Sequence, residues 1–241
     1  MDLGIAGRVA LVAAGSRGLG RASADALARE GTRVMLSARS GETLADAATA
    51  LRSAGADVAT TVADITDPDT PALLVAATEE AFGTIDIVVA NAGGPPPARA
   101  LDVDDDQLEA ALNANLLSAI RLTRAAVPTM RAGGWGRFCY ITSYSVVQPI
   151  PTLALSNTAR TGLWAWVKTA AQDLAVEGSG ITMNLVCPGP HATDRMRELG
   201  GTGPMGDPAD FGSIVAFLCS EQANFISGAA VVVDGASTLA L

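Results

Sequence analysis

The sequence is poor in basic clusters and in long apolar runs. Its 16 basic residues, only one of them lysine, are scattered among 25 acidic residues and give a net charge of −9 with the single histidine neutral. Nucleic acid and anionic membranes are poor partners for such a surface. No apolar stretch is long enough to span a bilayer, and the amino terminus lacks the basic start of a signal peptide. We therefore expect a cytoplasmic protein with neither nucleic-acid nor membrane partners.

Cysteine is also scarce, since the 241 residues include only three, Cys139, Cys187 and Cys219. Their odd number and wide spacing argue against a disulfide framework and against a zinc site. We expect three small buried side chains in a reducing compartment and no bound metal.

Short apolar runs alternate with longer alanine-rich segments of helical period. The apolar runs lie at residues 8–14, 33–38, 57–62, 85–90, 136–142, 181–187 and 230–233. The helical segments lie at residues 18–30, 41–54, 68–82, 104–131, 153–177 and 207–220. Runs that are apolar on both faces and separated by helices predict a parallel sheet covered on both sides. We predict a single doubly wound α/β domain of the Rossmann type over residues 1–241, with a seven-stranded parallel sheet.

A glycine-rich turn joins the first predicted strand to the first helix. It reads Gly15-Ser16-Arg17-Gly18-Leu19-Gly20. Glycines at such a turn let the backbone approach a diphosphate, whose charge the helix amino terminus stabilises. The turn therefore predicts a dinucleotide site.

The end of the second strand indicates which dinucleotide. A site for NAD would have a carboxylate there for the ribose 2′-hydroxyl, but the chain has Arg39 and no acid before Glu42. Arg39 and Arg17 can instead form charged hydrogen bonds to a 2′-phosphate. We predict NADP(H) as the cofactor.

Further polar residues follow the later strands in a recognisable order. They are Asp64, Asn91-Ala92-Gly93, Asn115, Ser143, and Pro188-Gly189 with Thr193. With the glycine turn, this order resembles the short-chain dehydrogenase/reductase family, especially its 3-oxoacyl carrier-protein reductase branch, over nearly the whole chain. The resemblance implies a homodimer or homotetramer that assembles through the last strand and the helices containing Asn115 and Ser156.

The resemblance also assigns residues to the cofactor. Asp64 and Ile65 would lie in the adenine part of the site, and the stretch from Asn91 to Gly93 would line the cofactor. The stretch from Pro188 to Thr193, which includes His191, would touch the nicotinamide end.

Two departures from the family's usual pattern affect the surroundings of this site. Ala14 replaces the usual threonine before the first glycine, so we expect the loss of a hydrogen bond to the Asn91 loop. Residues 194–206, which correspond to the substrate lid, are glycine-rich and shorter than usual. A short lid predicts a pocket open to a bulky or carrier-bound substrate.

The largest departure concerns the family's catalytic tyrosine and lysine, which lie four residues apart and thirteen residues beyond the serine. Counting from Ser143 reaches Ser156 and Arg160 instead. Neither tyrosine of the chain is followed four residues later by lysine, and Lys168 lies about 18 Å beyond Ser156 along a helix. The segment resembles a branch of reductase-like sequences with the pattern Leu-Ser-Asn-x-x-Arg. We predict an atypical site in which Ser156 and Arg160, on one helical face, replace the usual pair.

This replacement changes the proton chemistry. An alcohol is a far weaker acid than a phenol, and arginine does not release a proton. Ser156 can donate a hydrogen bond or relay a proton, while Arg160 can bind ribose hydroxyls and stabilise an oxyanion. Carbonyl reduction then needs another proton source. The sequence leaves three open: Tyr144, His191, or a water held by Asn115, Ser143 and Ser156.

Three functions remain open from the sequence. The first is an NADPH-dependent carbonyl reductase or alcohol dehydrogenase acting on a small-molecule or carrier-bound substrate. The second is a dehydratase, isomerase or cyclase in which Arg160 and Ser143 stabilise an enolate. The third is a nucleotide-binding protein without catalysis.

Overall fold

The computed structural model describes residues 1–239, which contain one parallel sheet. Its strands are β1 (Val9–Val12), β2 (Arg33–Ala38), β3 (Val58–Val62), β4 (Ile87–Ala90), β5 (Gly136–Ile141), β6 (Ile181–Pro188) and β7 (Ala230–Val233). The strand order is β3-β2-β1-β4-β5-β6-β7, and every neighbouring pair is parallel. The predicted seven-stranded, doubly wound α/β fold is confirmed.

Helices cover both faces of this sheet. They are α1 (Gly18–Arg29), α2 (Gly41–Ser53), α3 (Thr70–Phe82), α4 (Asp105–Leu112), α5 (Ser118–Gly133), α6 (Ala154–Val176), α7 (Asp194–Glu198) and α8 (Pro208–Leu218). One apolar cluster joins the sheet to α1, α2 and α8, and a second joins it to α3, α5 and α6. Because side chains alternate across a strand, Val12 of β1 belongs to the first cluster and Leu11 to the second.

The order of the strands reverses beside β1. The chain runs outward from β1 to β3, then returns to place β4 on the other side of β1. In open α/β sheets, ligands bind in the crevice at such a reversal, beyond the carboxyl ends of the strands. The glycine turn follows β1 and the Asn91 loop follows β4, so both border this crevice.

The predicted helix at 104–131 is the main difference in secondary structure. The chain instead forms α4, a π-helical turn at Asn113–Leu117, and then α5. No glycine or proline lies within the π-helical turn to indicate it. The predicted lid region, residues 194–206, also contains one short helix, α7, before an irregular stretch.

All three cysteines are buried and unpaired, as expected. Within residues 1–239, no three histidine, cysteine or acidic side chains come together as a metal site would require. Over the same residues, no helix combines the length and the hydropathy needed to cross a membrane.

Candidate active site

The glycine turn is held tightly against the sheet. The backbone N–H of Gly15 donates to the carbonyl of Ser37 at 2.9 Å. A side chain at Gly20 would place its Cβ 2.5 Å from the Ala14 oxygen, so only glycine fits there. Arg17 precedes α1 and provides no side-chain cap, so the first N–H groups of α1 remain available to a ligand.

The turn also contacts the loop after β4, although Ala14 lacks the threonine hydroxyl. The Asn91 side chain donates from Nδ2 to the backbone oxygen of Ala14 at 3.3 Å. This bond uses a main-chain acceptor, so the missing threonine hydroxyl does not separate the two loops. Ala14 itself has a left-handed φ of 47°, which its bonded carbonyl helps to hold.

Arg39 and Asp64 lie close together where β2 and β3 end. Arg39 is 75% exposed, and its Nη1 lies 3.9 Å from Asp64 Oδ2. The Thr66 backbone N–H donates to Asp64 Oδ1 at 3.0 Å and lowers the pKa of the Asp64 carboxyl group. Partial burial raises this pKa, and the hydrogen bond from the Thr66 hydroxyl lowers it further. Asp64 is therefore an ionised, fixed carboxylate, while most of the Arg39 guanidinium faces solvent.

A cavity lies at the strand-order reversal, between the ends of β1 and β4 and the helices α5 and α6. Its polar lining includes Asn91, Asn115 and Arg160, and Ile65 and Ala92 contribute apolar wall. These residues come from four separate parts of the chain. The fold therefore brings two of the predicted catalytic residues, Asn115 and Arg160, to the same place as part of the predicted cofactor site.

Asn115 reaches this cavity from the π-helical turn. Its side chain is 6% exposed, and Nδ2 lies 3.4 Å from the Ala111 oxygen. Oδ1 is buried without a hydrogen bond from any residue in the described range. Leaving such an acceptor unpaired costs about 1–3 kcal/mol, and π-helical turns occur often at functional sites. The Asn115 oxygen is therefore suited to accept a bond from a ligand or a water.

Arg160 and Ser156 lie on the buried face of α6, and each is 8% exposed. The Arg160 guanidinium donates from Nη1 to the Ile141 oxygen at the end of β5, at 2.9 Å. Burial lowers the Arg160 pKa to about 10, so the group remains a cation at neutral pH. No carboxylate in residues 1–239 pairs with it, and Ser156 Oγ makes no hydrogen bond within that range. A buried cation without a counterion favours a ligand that brings negative charge.

Ser143 and Tyr144 continue the chain from β5 toward α6. The Ser143 hydroxyl accepts from the Ser145 N–H at 3.1 Å and begins a short 3-10 helix, Tyr144–Val146. Both Ser143 and Tyr144 are half-buried, and the 3-10 helix packs against α6. The other tyrosine, Tyr140, is fully buried and bonded to Thr123, and burial raises its pKa far above the usual value. Of the two tyrosines, Tyr144 is therefore the more accessible to solvent.

Comparison with known proteins agrees with the fold. A family model described as enoyl-(acyl carrier protein) reductase matches residues 13–238. Dehydrogenase/reductase SDR family member 4 of Homo sapiens is 32% identical over 96% of this chain and 87% of that protein. The chain belongs to the short-chain dehydrogenase/reductase family. It is therefore an oxidoreductase of the short-chain type, which favours the first of the three functions open from the sequence.

Other members of this short-chain dehydrogenase/reductase family extend the comparison. The 3-oxoacyl-[acyl-carrier-protein] reductase MabA of Mycobacterium tuberculosis is 30% identical over 95% of this chain and 92% of that protein. L-sorbose reductase of Gluconobacter frateurii, solved with NADPH and L-sorbose, is 28% identical with a TM-score of 0.93 over 100% of both chains. A variant of actinorhodin polyketide ketoreductase, solved with NADPH, is 27% identical with a TM-score of 0.88 over 95% of this chain and 96% of that chain.

The stretch from Pro188 to Thr193 lies beside the glycine turn, but His191 within it is directed elsewhere. A Cβ on Gly18 would lie 3.8 Å from Thr193 Cγ2, which places the two loops together. His191 is 4% exposed, its Nδ1 lies 3.0 Å from the Gly189 oxygen, and its ring meets Phe211 edge-on. Phe211 belongs to the apolar cluster of α1, α2 and α8, on the sheet face opposite α5 and α6.

Two residues near the cleft were missed by the sequence reasoning. Asn157 donates from Nδ2 to the Ile150 oxygen at 2.9 Å and so fixes the loop after Tyr144 to α6. Its position inside the Leu-Ser-Asn-x-x-Arg pattern was an available signal. Arg195 of α7 donates to the oxygen of Pro95, one hundred residues earlier, at 2.9 Å. No sequence signal indicated that second contact.

Proposed function

We propose that this short-chain oxidoreductase is an NADPH-dependent carbonyl reductase or alcohol dehydrogenase in which Ser156 and Arg160 replace the usual tyrosine and lysine. The observation that carries the proposal is the buried Arg160 guanidinium, which has no carboxylate partner in the described chain and lines the same cavity as the unpaired Asn115 oxygen. The Arg160 cation would stabilise a carbonyl oxygen that gains negative charge, whereas the Asn115 oxygen would accept a hydrogen bond from a water or from the substrate.

The nucleotide side of the crevice fits NADPH, which supplies the hydride when bound. The glycine turn before the uncapped amino terminus of α1 would let the backbone approach the diphosphate closely. The turn residues assigned to the cofactor are, besides Arg17, Gly15, Ser16, Gly18, Leu19 and Gly20. Arg17 and Arg39 would bind the 2′-phosphate, because both are exposed and neither makes a close ion pair in the described chain. The NADPH complexes of the sorbose reductase and of the polyketide ketoreductase support the same cofactor.

The remaining cofactor residues follow from the same placement. Asp64 and Ile65 would lie at the adenine, and the loop from Asn91 to Gly93 would line the cofactor. The segment from Pro188 to Thr193 would contact the nicotinamide end, since it lies against the glycine turn.

We favour water as the immediate proton source. The unpaired Asn115 Oδ1 and the unbonded Ser156 Oγ are acceptors that a water can satisfy, and Ser143 lies on the neighbouring segment. His191 is disfavoured because its Nδ1 is engaged by the Gly189 oxygen and its ring packs on Phe211. Tyr144 is the competing donor, because it is half-buried beside α6.

Substitution of the competing donor distinguishes the two proton sources. If water relays the proton, the kcat of Tyr144→Phe stays within about threefold of the wild-type value. If the Tyr144 phenol donates the proton, its removal lowers kcat by about 100-fold or more. The measurement is kcat against pH for both proteins, with Tyr140→Phe as a control for loss of a tyrosine hydroxyl away from the cleft. A 100-fold loss confined to Tyr144→Phe would assign the proton to that residue.

Binding and turnover of the cofactor test the whole proposal. NADPH fluorescence should change on titration, and absorbance of the reduced nicotinamide should fall with members of a panel of ketones and β-ketoacyl thioesters. Absence of NADPH binding at millimolar concentration would contradict the proposal and favour a protein without catalysis. Substrate conversion without NADPH oxidation would instead identify a dehydratase, isomerase or cyclase.

We further propose assembly into a homodimer or homotetramer. The strand β7 is at the sheet edge, and its four residues Ala230–Val233 are all only half-buried. An apolar strand in that position is well suited to a symmetric contact. Light scattering coupled to size-exclusion chromatography measures the mass, and a monomer at micromolar concentration would contradict the assembly.

A further inference from the structure

We propose that the carbonyl substrate carries a carboxylate group, which Arg195 binds at the mouth of the cleft. The inference rests on the proposed function, because it names the class of substrate for that site. It assigns Arg195 a role in substrate specificity.

Arg195 lies on α7 and reaches the loop that follows β4. Its Nη2 donates to the Pro95 oxygen at 2.9 Å and lies 3.5 Å from the Gly94 oxygen. The side chain therefore joins the lid helix to a loop on the other side of the cleft. The two carbonyls hold the guanidinium in place without neutralising its charge.

Most of the hydrogen-bonding capacity of this guanidinium is unused. Nε and Nη1 donate to no acceptor in residues 1–239, and the Glu198 carboxylate lies 3.7 Å from Nη1 in an exposed pair. Exposed pairs at that separation contribute little to stability. The side chain is 44% exposed, so an incoming molecule can reach it. The free Nε and Nη1 donors can each form a charged hydrogen bond to a carboxylate oxygen.

A second cation lies deeper in the same cleft. Arg160 is buried without a carboxylate partner in the described chain, and its pKa is lowered first by burial and further by the positive charge of Arg195. Two guanidinium groups close enough to act on each other favour an anion, although the chain as a whole has a net charge of −9. The cofactor phosphates would be bound elsewhere, by Arg17, Arg39 and the amino terminus of α1.

These two cations suit different parts of one oxo acid. Arg160, with Ser156 beside it on α6, would face the carbonyl oxygen, whereas Arg195 would bind the carboxylate nearer to solvent. A neutral ketone can use only the first of these interactions. The product of reduction would be the corresponding hydroxy acid.

Paired substrates test the inference. Oxo acids from acetoacetate to 4-oxopentanoate are compared with their methyl esters by kcat/KM in the wild type, Arg195→Gln and Arg197→Gln. Arg197 is the matched control because it lies on α7, is exposed and pairs with Asp194. We expect the wild type to prefer at least one acid over its ester by about tenfold or more, as a charged hydrogen bond implies.

The two variants then show whether Arg195 is responsible for the preference for the acid over its ester. Arg195→Gln should lower kcat/KM for the acid by about 10- to 100-fold, change the value for the ester by less than about threefold and leave the NADPH dissociation constant unchanged. Arg197→Gln should retain the wild-type preference. Equal use of every acid and its ester by the wild type would overturn the inference. An equal loss on acid and ester, or weaker NADPH binding in Arg195→Gln, would assign Arg195 to the lid or the cofactor instead.

A binding measurement separates this inference from the proposed function. Calorimetric titration of 3-hydroxybutyrate and its methyl ester into the NADPH-saturated protein requires no turnover. Binding of the acid alone, lost in Arg195→Gln, supports the carboxylate site even if no carbonyl compound is reduced, and only the proposed function then fails. Turnover of neutral ketones with no binding or reduction of acids overturns only the carboxylate site.

Discussion

Two buried arginines lie at opposite ends of the parallel strands, one at the edge formed by the amino ends and one at the edge formed by the carboxyl ends, and their surroundings differ. Arg137 lies at the amino-terminal edge, is completely buried and donates to the oxygens of Ser220, Gly136 and Gly180 at 2.9–3.1 Å. Arg160 lies at the carboxyl-terminal edge and donates only to the Ile141 oxygen within the described chain. Burial lowers the pKa of both. The protein supplies several acceptors for the first cation and a single acceptor for the second within the described chain.

The neighbours of each arginine extend the contrast. At the amino-terminal edge, the guanidinium groups of Arg137 and Arg8 lie 4.1 and 4.0 Å from the Trp135 ring centre, and Arg8 pairs with Asp86. At the carboxyl-terminal edge, the Asn115 oxygen has no partner within residues 1–239. An acceptor left unpaired beside the crevice is available to a ligand or a water.

The largest expected effect is on stability at the amino-terminal edge. Arg137→Ala removes the donor for three backbone oxygens, so we expect the free energy of unfolding to fall by about 3–5 kcal/mol. Urea denaturation followed by circular dichroism measures the change. Arg131→Ala is the matched control, because its exposed pair with Glu177 at 2.7 Å should contribute less than about 1 kcal/mol. Equal losses in the two variants would remove the distinction between buried and exposed arginines.

The next effect, on activity, concerns the carboxyl-terminal edge. Arg160→Ala should lower kcat/KM for carbonyl reduction by about 100- to 1000-fold, since a cation facing the developing oxyanion is lost. Its free energy of unfolding should change by less than about 1 kcal/mol, because the desolvation cost of the buried charge disappears with the charge.

Steady-state kinetics and urea denaturation on the same samples test both halves of this prediction. Arg124→Ala, an exposed arginine on α5, is the control and should alter neither quantity. Unchanged turnover in Arg160→Ala would show that this arginine is structural, like Arg137, and the contrast between the edges would fail.

The sequence predicted the elements that have a local cause. The strand runs and the turn around Gly15 to Gly20 depend on apolar runs and on glycine, which act over a few residues. The π-helical turn that presents Asn115 was missed, because no residue within it breaks a helix. The packing of the His191 ring on Phe211 and the hydrogen bond from Arg195 to Pro95 were missed, because each joins residues that are distant in sequence.

The smallest effect is expected at the rim of the crevice, where Arg39 is exposed rather than buried. Because Arg39 would contact only the 2′-phosphate, Arg39→Ala should weaken NADPH binding by about tenfold and leave NADH binding unchanged. Fluorescence titrations with both nucleotides measure the two dissociation constants. Arg52→Ala, whose guanidinium is engaged by the Val58 oxygen at 2.7 Å, controls for general loss of positive charge. If Arg39→Ala binds both nucleotides like the wild type, Arg39 is a solvated surface charge, and preference for NADPH must arise from Arg17 alone or not exist.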